Sequence, residues 1–389
     1  MNIVLIDPSL FTWPYDFQLA EALHQAGHTV RILGRKPDAT ATDEHRRFLV
    51  QHFYKGLEPS LLKQLPRGIS LGLKGLSHIG SMVQLLRHLA RERPDVIHFQ
   101  WTPLASIDSR FIPHFRRIAP TILTAHDSKP YNDNPRSRLQ RLGATKIFTR
   151  FDHVIVHTKT ARERMLTYGV DADRVSIVPH GLLLQPFSAN AAEDRRDRRV
   201  EILLFGQIKP YKGADVLIRA IGELPEAARQ RCRVRIVGRP EMNMQPLLDL
   251  VDQLGLQDTV AFDLRFVPDS ELPKLMTDAD IHVFPYREID ASGVLMLGLA
   301  AGRPVVASCI GLFEELLGDL KLNRLIEPGS PAALASALAP LITDDTYRSE
   351  AAHEIIQMRS SISNWSEIAT KTISVYDKAS ANHDRQARR

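Results

Sequence analysis

The chain alternates short apolar runs with amphipathic stretches along most of its 389 residues. In the first half, residues 3–6, 29–33, 95–99, 121–125, 153–157 and 175–178 are almost continuously apolar. Parallel strands covered on both faces read this way, because neither face meets water. Between them the spacing turns helical. Residues 17–25 set Leu19, Ala20 and Leu23 on one side and stop at Gly27; residues 160–168 stop at Gly169. Glycine just past the last turn supplies the left-handed cap that other residues resist. The alternation resumes with strands over 202–205, 234–237, 260–262, 281–284 and 305–307 and helices over 214–220 and 246–253. Near the end, Trp365, Ile368, Ala369, Ile373 and Tyr376 recur at three- and four-residue spacing, the single stripe of a long helix. The alternation predicts an α/β protein with a doubly wound parallel sheet in each half.

The pattern fails once, over residues 186–199, where a weakly patterned stretch runs into the charged segment from Glu193 to Arg199. This is the expected linker. The predicted organisation is a first domain over 1–185, the linker, a second domain over 200–362, a helix over 363–381 that returns to the first domain, and a flexible polar tail over 382–389.

Composition narrows the class. Apolar residues make up 44% and charged residues 24%, the balance of a globular protein with a full core. No apolar run approaches the ~18 residues of a spanning helix. Cys232 and Cys309 are too few for a disulfide framework or a cysteine metal site. The chain opens on a strand without a basic leader, so a cytoplasmic location is expected. Residues 1–185 hold 25 Lys+Arg against 16 Asp+Glu, and the remainder 25 against 29, so the positive charge sits in the first half. Lys63, Arg67, Lys74, Arg87, Arg91 and Arg93 are interleaved there with Leu, Ile, Met and Val and opposed only by Glu92. Solvated helix faces would read so, and so would a patch for anionic lipid at the inner face of a membrane. Zinc-finger spacing and aromatic runs are missing, so nucleic acid is not an expected partner.

Candidate chemistry concentrates in two segments. In Phe205-Gly206-Gln207-Ile208-Lys209-Pro210-Tyr211-Lys212-Gly213 a strand ends at a glycine and two lysines precede a second glycine that opens a helix. Backbone amides approach a ligand closely at glycine, and two ammonium groups at a helix start favour a diphosphate. A plain surface turn is the competing reading. About 80 residues on, Phe284-Pro285-Tyr286-Arg287-Glu288-Ile289-Asp290-Ala291-Ser292-Gly293-Val294 runs from a strand into a Ser-Gly helix start, whose first amides lack helical partners. In the first half, Asp7-Pro8-Ser9-Leu10-Phe11-Thr12-Trp13-Pro14-Tyr15-Asp16 follows the first strand where a dinucleotide site would place Gly-x-Gly-x-x-Gly. Its absence argues against a nicotinamide enzyme. Phe11, Trp13 and Tyr15 either line an acceptor cleft or pack inward. His98-Phe99-Gln100-Trp101 and His126-Asp127 end strands, where open α/β sheets place ligand contacts.

Together these segments resemble the family 4 glycosyltransferases of GT-B fold. Leu203 to Ala220 resembles the family's donor-phosphate motif, Val234 to Gly238 its glycine-ended strand, and Asp278 to Ala307 its nucleotide-sugar loop and helix. The segment from His153 to Gly181 is similar to the stretch closing the acceptor domain. The resemblance implies two Rossmann-like domains facing across a cleft, and a sugar moved from a UDP- or GDP-linked donor to a glycan or lipid-linked saccharide. Synthesis of exopolysaccharide or cell-surface polysaccharide is the implied setting. It also implies retention of configuration, and with lysines and a helix start in place of a cation no cofactor or metal is expected beyond the donor itself. His126, Asp127, Lys209 and Lys212 are the implied catalytic residues. Gly206, Gln207, Gly238, Phe266, Glu288, Asp290, Ser292, Gly293, Val294 and Glu314 are the implied donor contacts; Ser9, Phe11, Trp13, Tyr15 and Trp101, from their places at strand ends, are the candidate acceptor contacts.

Two departures bear on mechanism. Gln207 stands where the family has a phosphate-binding arginine, which shifts the diphosphate to Lys209 and Lys212. Ile289 and Leu297 stand at the positions of the family's paired glutamates. An inverting enzyme would instead need a side-chain base, with Asp7, Asp16 and Asp127 the candidates. A nucleotide-sugar epimerase or hydrolase of this fold, and a non-catalytic synthase subunit, are the rival classes. Asp278-Ala279-Asp280 is read as structural rather than metal-binding.

Overall fold

The computed structural model describes residues 1–10, 12–35, 47–51, 67–129, 144–183 and 199–387. They form two compact units, one of Met1–Pro179 with Asn364–Arg389 and the other of His180–Ser363. The chain thus changes unit at 179/180, ahead of the linker expected from the sequence, most of which lies outside the described residues.

In the first unit the strands are β1 (Asn2–Asp7), β2 (Thr29–Gly34), β3 (Leu49–Gln51), β4 (Val96–Phe99), β5 (Thr121–Thr124), β6 (His153–Val156) and β7 (Val175–Ile177). All pair in parallel, in the order β3-β2-β1-β4-β5-β6-β7. Ile3 is in register with Val30 on one side and Val96 on the other. The winding reverses between β1 and β4, so the connections after these strands diverge and leave the crevice in which such sheets bind ligands. Helices α1 (Trp13–Gln25), α2 (Arg67–Glu92), α3 (Ala105–Phe115), α4 (Lys159–Thr167) and a C-terminal helix, Trp365–Ala387, accompany this sheet. The C-terminal helix lies against α1, β5 and β6, and its Tyr376 hydroxyl is 2.8 Å from His98 Nδ1. The tail expected beyond 381 is instead helical to Ala387. Ala379, fully buried, and Ala381 favour the helix, and His383 approaches Asp152 at 3.8 Å.

In the second unit the strands are β8 (Val200–Phe205), β9 (Cys232–Val237), β10 (Val260–Asp263), β11 (Ile281–Phe284), β12 (Val305–Ser308) and β13 (Arg324–Ile326), all parallel, in the order β10-β9-β8-β11-β12-β13. The helices are α5 (Ala214–Glu223), α6 (Glu226–Gln230), α7 (Gln245–Gln253), α8 (Leu272–Asp278), α9 (Gly293–Ala301), α10 (Gly311–Leu317), α11 (Pro331–Thr343) and α12 (Asp345–Met358), which makes the C-terminal helix α13. Successive residues of β8 serve opposite faces: Ile202 and Leu204 join the core under α5 and α11, and Leu203 joins the one under α8 and α9. Winding reverses again, between β8 and β11. The outer strands β3, β7 and β13 span three residues each, and of these β3 and β13 carry too little apolar sequence to announce themselves. Among the described residues no helix is long and apolar enough to cross a membrane.

Candidate functional site

The second unit gathers its chemistry at the carboxyl ends of β8, β9 and β11. After β8 the chain turns at Gly206, with φ 110°. A Cβ there would stand 2.6 Å from Lys212 Nζ and 3.2 Å from Val294 Cγ2, so the turn, the lysine and the start of α9 meet at that point. Gly213, with φ 69°, precedes α5, and a Cβ on it would fall 2.0 Å from the Pro285 carbonyl oxygen. Only glycine closes that turn against the strand-end loop. Gly238, at the end of β9, backs onto the Gly206 carbonyl.

Lys212 ends a short 3₁₀ turn, Pro210–Lys212, and is only 6% exposed. Its Nζ lies 5.2 Å from the centre of the Tyr286 ring, and among the described residues no acid pairs with it. Burial, and then the charge of Lys209, pull Lys212 down to about 7. Beside it α9 begins: the Ser292 hydroxyl accepts the Leu295 amide at 3.2 Å, and the amides of Gly293 and Val294 open the helix as donors. A buried cation and a helix N-terminus at one glycine turn make a site for an anion such as a diphosphate.

Two residues that the sequence did not single out hold this loop. Arg287 forks onto Asp215 at 2.6 and 2.9 Å and donates to the Pro210 carbonyl at 2.9 Å, while its own amide donates to the Tyr211 carbonyl. Gln207, Lys209 and Glu288 are half-buried in the two loops, and Asp290 is buried. Phe266, 65% exposed after β10, and Glu314, exposed in α10, make no described contact with Lys212. Gly293 has ordinary helical backbone, and the first atom a Cβ there would meet is Leu183 Cδ1 at 3.0 Å, so its neighbour is an apolar side chain. Asp280 accepts the Glu201 amide at the amino edge of the sheet, as a structural residue does. A hollow of about 470 Å³ also opens at that amino edge, among Arg199, Glu201, Arg233 and Asp258, away from the glycine turn.

In the first unit, Asp7 ends β1 fully buried, and its carboxylate accepts the Ser9 and Thr12 amides and hydroxyls. Asp16 is equally buried, and burial followed by the Asp7 charge pushes its carboxyl well above the usual range. Both are therefore corrected from candidate bases to inward-facing supports of the loop. Ser9 is taken up by Asp7. Trp13 and Tyr15 lie in the first turn of α1 rather than in a loop. Tyr15, 3% exposed, packs against His126, His157 and Trp365 at 4.8 to 5.3 Å, so it backs the site instead of lining it. Phe11 lies outside the described residues.

The ends of β4 and β5 carry Gln100, Trp101, His126 and Asp127 around a small cavity of about 30 Å³. Both ring nitrogens of His126 face protein: Nε2 is 3.2 Å from Gln100 Oε1 and Nδ1 is 3.1 Å from His157 Nε2. Beneath them His98 bridges Thr124 at 2.7 Å and Tyr376 at 2.8 Å, and burial pulls it down to about 3. The Asp127 carboxylate accepts the Lys129 amide. Neither Gln100 nor His157 carried a sequence signal beyond its place at a strand end.

Known proteins share this architecture. The family description Glycosyltransferase Family 4 matches residues 17–185, and Glycosyl transferases group 1 matches residues 199–344. A D-inositol 3-phosphate glycosyltransferase of Corynebacterium glutamicum (strain R) is 29% identical over 287 residues, 68% of each chain. One from Thermobispora bispora is 29% identical over 392 residues, spanning 94% of this chain and 89% of its own. Among solved structures, Anabaena HepE in complex with UDP and glucose superposes with a TM-score of 0.74 at 18% identity, covering 97% of this chain and 99% of that one, a likeness of fold.

Proposed function

The chain belongs to the family 4 glycosyltransferases of GT-B fold, and we propose that it moves a hexose from a UDP- or GDP-linked donor to a glycan or lipid-linked saccharide in cell-surface or exopolysaccharide synthesis. The observation that carries the donor half of this reading is Lys212, buried without an acidic partner beside the first turn of α9. Departure of the nucleoside diphosphate builds charge on phosphate oxygens, and donors already aimed at that charge lower the barrier without reorganising. Lys212, Lys209 and the amides of Gly293 and Val294 take that role. HepE, with UDP and glucose bound, supports the donor class. Retention is favoured because two of the three candidate bases, Asp7 and Asp16, are buried and engaged, which leaves Asp127 alone for inversion, and because the leaving phosphate can itself accept the acceptor proton. Donor charge is met by lysines and a helix terminus, so turnover is expected to persist in EDTA.

The acceptor side rests on α2. Ile69, Leu73, Leu76 and Ile79 are exposed along this helix, which also carries Lys74, Arg87 and Arg91. An apolar ridge with cations on one helix suits peripheral contact with anionic lipid at the cytoplasmic face of a membrane. Sedimentation with phosphatidylglycerol vesicles, against neutral ones, tests this contact. A second acceptor class, an inositol phosphate, is favoured by the names of the two relatives.

The deciding experiment is a panel of UDP- and GDP-sugars with nucleotide release measured alone, with lipid-linked saccharide and with inositol phosphate. Release that needs one acceptor supports a transferase and names its class. Equal release without acceptor would show a hydrolase, and no release with any donor would turn the reading to a non-catalytic subunit.

A further inference from the structure

Burying an ammonium without a counter-ion is costly, and proteins usually answer with a carboxylate. Lys212 has none among the described residues. What faces it instead is the Tyr286 ring, 5.2 Å from Nζ to the ring centre. At such a distance the negative face of an aromatic ring attracts a cation. The lysine also abuts Gly206, where a Cβ would come within 2.6 Å of Nζ. The ring itself is held. Tyr286 is 1% exposed and meets Tyr211, Phe284 and Phe313 at centroid distances of 5.9, 5.9 and 5.4 Å. Its hydroxyl is buried without a hydrogen bond, beside the Ser292 side chain.

A carboxylate at this place would neutralise Lys212 and repel a phosphate. An aromatic face stabilises the cation and leaves its charge uncancelled. We propose that Tyr286 is the positioning residue of the donor-phosphate site: its ring seats the Lys212 ammonium in place of an acid, and so keeps the full charge available to the diphosphate. The inference rests on the reading of Lys212 as a phosphate ligand. None of the acids in these loops pairs with Lys212. Lys209, from the same turn, repels the ammonium. Asp215 of α5 is taken by Arg287, and Glu288, Asp290 and Tyr211 belong to the same two loops. Without the ring, Lys212 gives up its proton more readily, so anion binding fails at a lower pH.

Binding of UDP and GDP to the full-length protein, measured by calorimetry from pH 6 to 9, tests this. Lys212→Met is expected to weaken binding tenfold or more, and Tyr286→Leu about tenfold, with its affinity falling off at lower pH than in the wild type. Tyr286→Phe keeps the ring and is expected to recover affinity to within about threefold. On a Lys212→Met background, Tyr286→Leu should add less than about twofold. A second measurement needs no Tyr286 variant to fold: with ¹³Cε-labelled lysine, the Lys212 signal, assigned by its loss in Lys212→Met, should be shifted upfield by the ring. An unshifted signal would overturn the seat. So would a Tyr286→Leu protein with wild-type affinity and pH dependence while Lys212→Met is weak, or full additivity of the two losses. Wild-type binding by Lys212→Met would overturn the phosphate reading and the seat together.

Discussion

His126 Nδ1 lies 3.1 Å from His157 Nε2, and the other nitrogen of His157 lies 2.9 Å from the Val178 carbonyl oxygen. A carbonyl only accepts, so His157 donates from Nδ1. Burial pulls His157 down to about 4, which leaves its Nε2 bare near neutral pH. His126 therefore donates from Nδ1, and the bare Nε2 of the neutral ring pairs with Gln100 only when the side-chain amide is turned to present its NH₂ group in place of Oε1. The backbone of β7's exit thus sets the tautomer of a ring at the end of β5. His157→Phe keeps the packing against Tyr15 and removes both hydrogen bonds; it is expected to lower transfer about tenfold or more. His157→Gln can donate and accept in the same sense and should restore most of the rate. Ring ¹⁵N shifts at pH 7.5 check the cause: His126 protonated on Nε2 alone in the wild type would contradict the arrangement.

The Arg287–Asp215 pair predicts a separation of function from stability. Both side chains are partly exposed, so the pair adds little to folding, on the order of 1 kcal/mol or less. Its geometry matters more, since one guanidinium ties Asp215 and the Pro210 carbonyl across two loops. Against the cost of burial, the Arg287 hydrogen bonds hold Asp215 below the usual carboxylate range, so the pair is intact at neutral pH. Arg287→Lys cannot fork in this way. It is expected to raise the donor KM by roughly five- to tenfold with the melting temperature almost unchanged. An unchanged KM would mean that Gly213 and Pro285 alone hold the turn.

What the sequence discloses follows from what each residue's role demands. Residues 202–205 read as a strand because both faces of β8 are buried, and Gly206 and Gly213 read as turns because they are needed for backbone reasons. Lys212 was legible from its place before a glycine. Tyr286 was not, because a tyrosine after a strand looks the same whether it fills a core or carries a cation. Arg287 and Asp215 are 72 residues apart, and nothing local links them. Asp16 and Tyr15 belong to α1 because the helix starts at Trp13, and Pro14 in its first turn was the available signal. His157 acts through a carbonyl at Val178, a backbone partner that no motif records.

Asp16 is expected to destabilise the fold as pH rises. Its Oδ2 lies 3.0 Å from the Thr12 hydroxyl oxygen, and burial first, then Asp7, raise its carboxyl far above the ordinary 3.8. Between those two values the folded state holds a proton that the unfolded chain has released, so stability declines with rising pH across that window. Asparagine keeps the shape and cannot ionise. Asp16→Asn should therefore melt with the wild type near pH 4 and above it at pH 8. A lower melting temperature at pH 8 would show that an ionised Asp16 is needed.

Histidines give the opposite slope, and they are unevenly shared. In the first unit burial pulls His98 down to about 3 and His153 and His157 to about 4; in the second it pulls His282 to about 4. Each stays neutral when folded and takes up a proton when unfolded below its ordinary 6.5. Their contribution is complete above that value and is lost as pH falls towards the folded values, at about 1.4 kcal/mol per pH unit for each group. Asp16 works against them in the first unit, where the lowered His28 adds to them, and Lys212, pulled down to about 7, adds to His282 in the second. All three tryptophans, Trp13, Trp101 and Trp365, lie in the first unit, so their fluorescence reports that unit alone. In urea titrations from pH 7 to 5, the fluorescence midpoint is expected to fall further than the midpoint of whatever later transition far-UV circular dichroism reveals. His98→Asn, which preserves hydrogen bonding without a titrating ring, should flatten that fall by about one proton. A fluorescence midpoint that stays constant across this range would mean that these rings are not kept neutral by the fold.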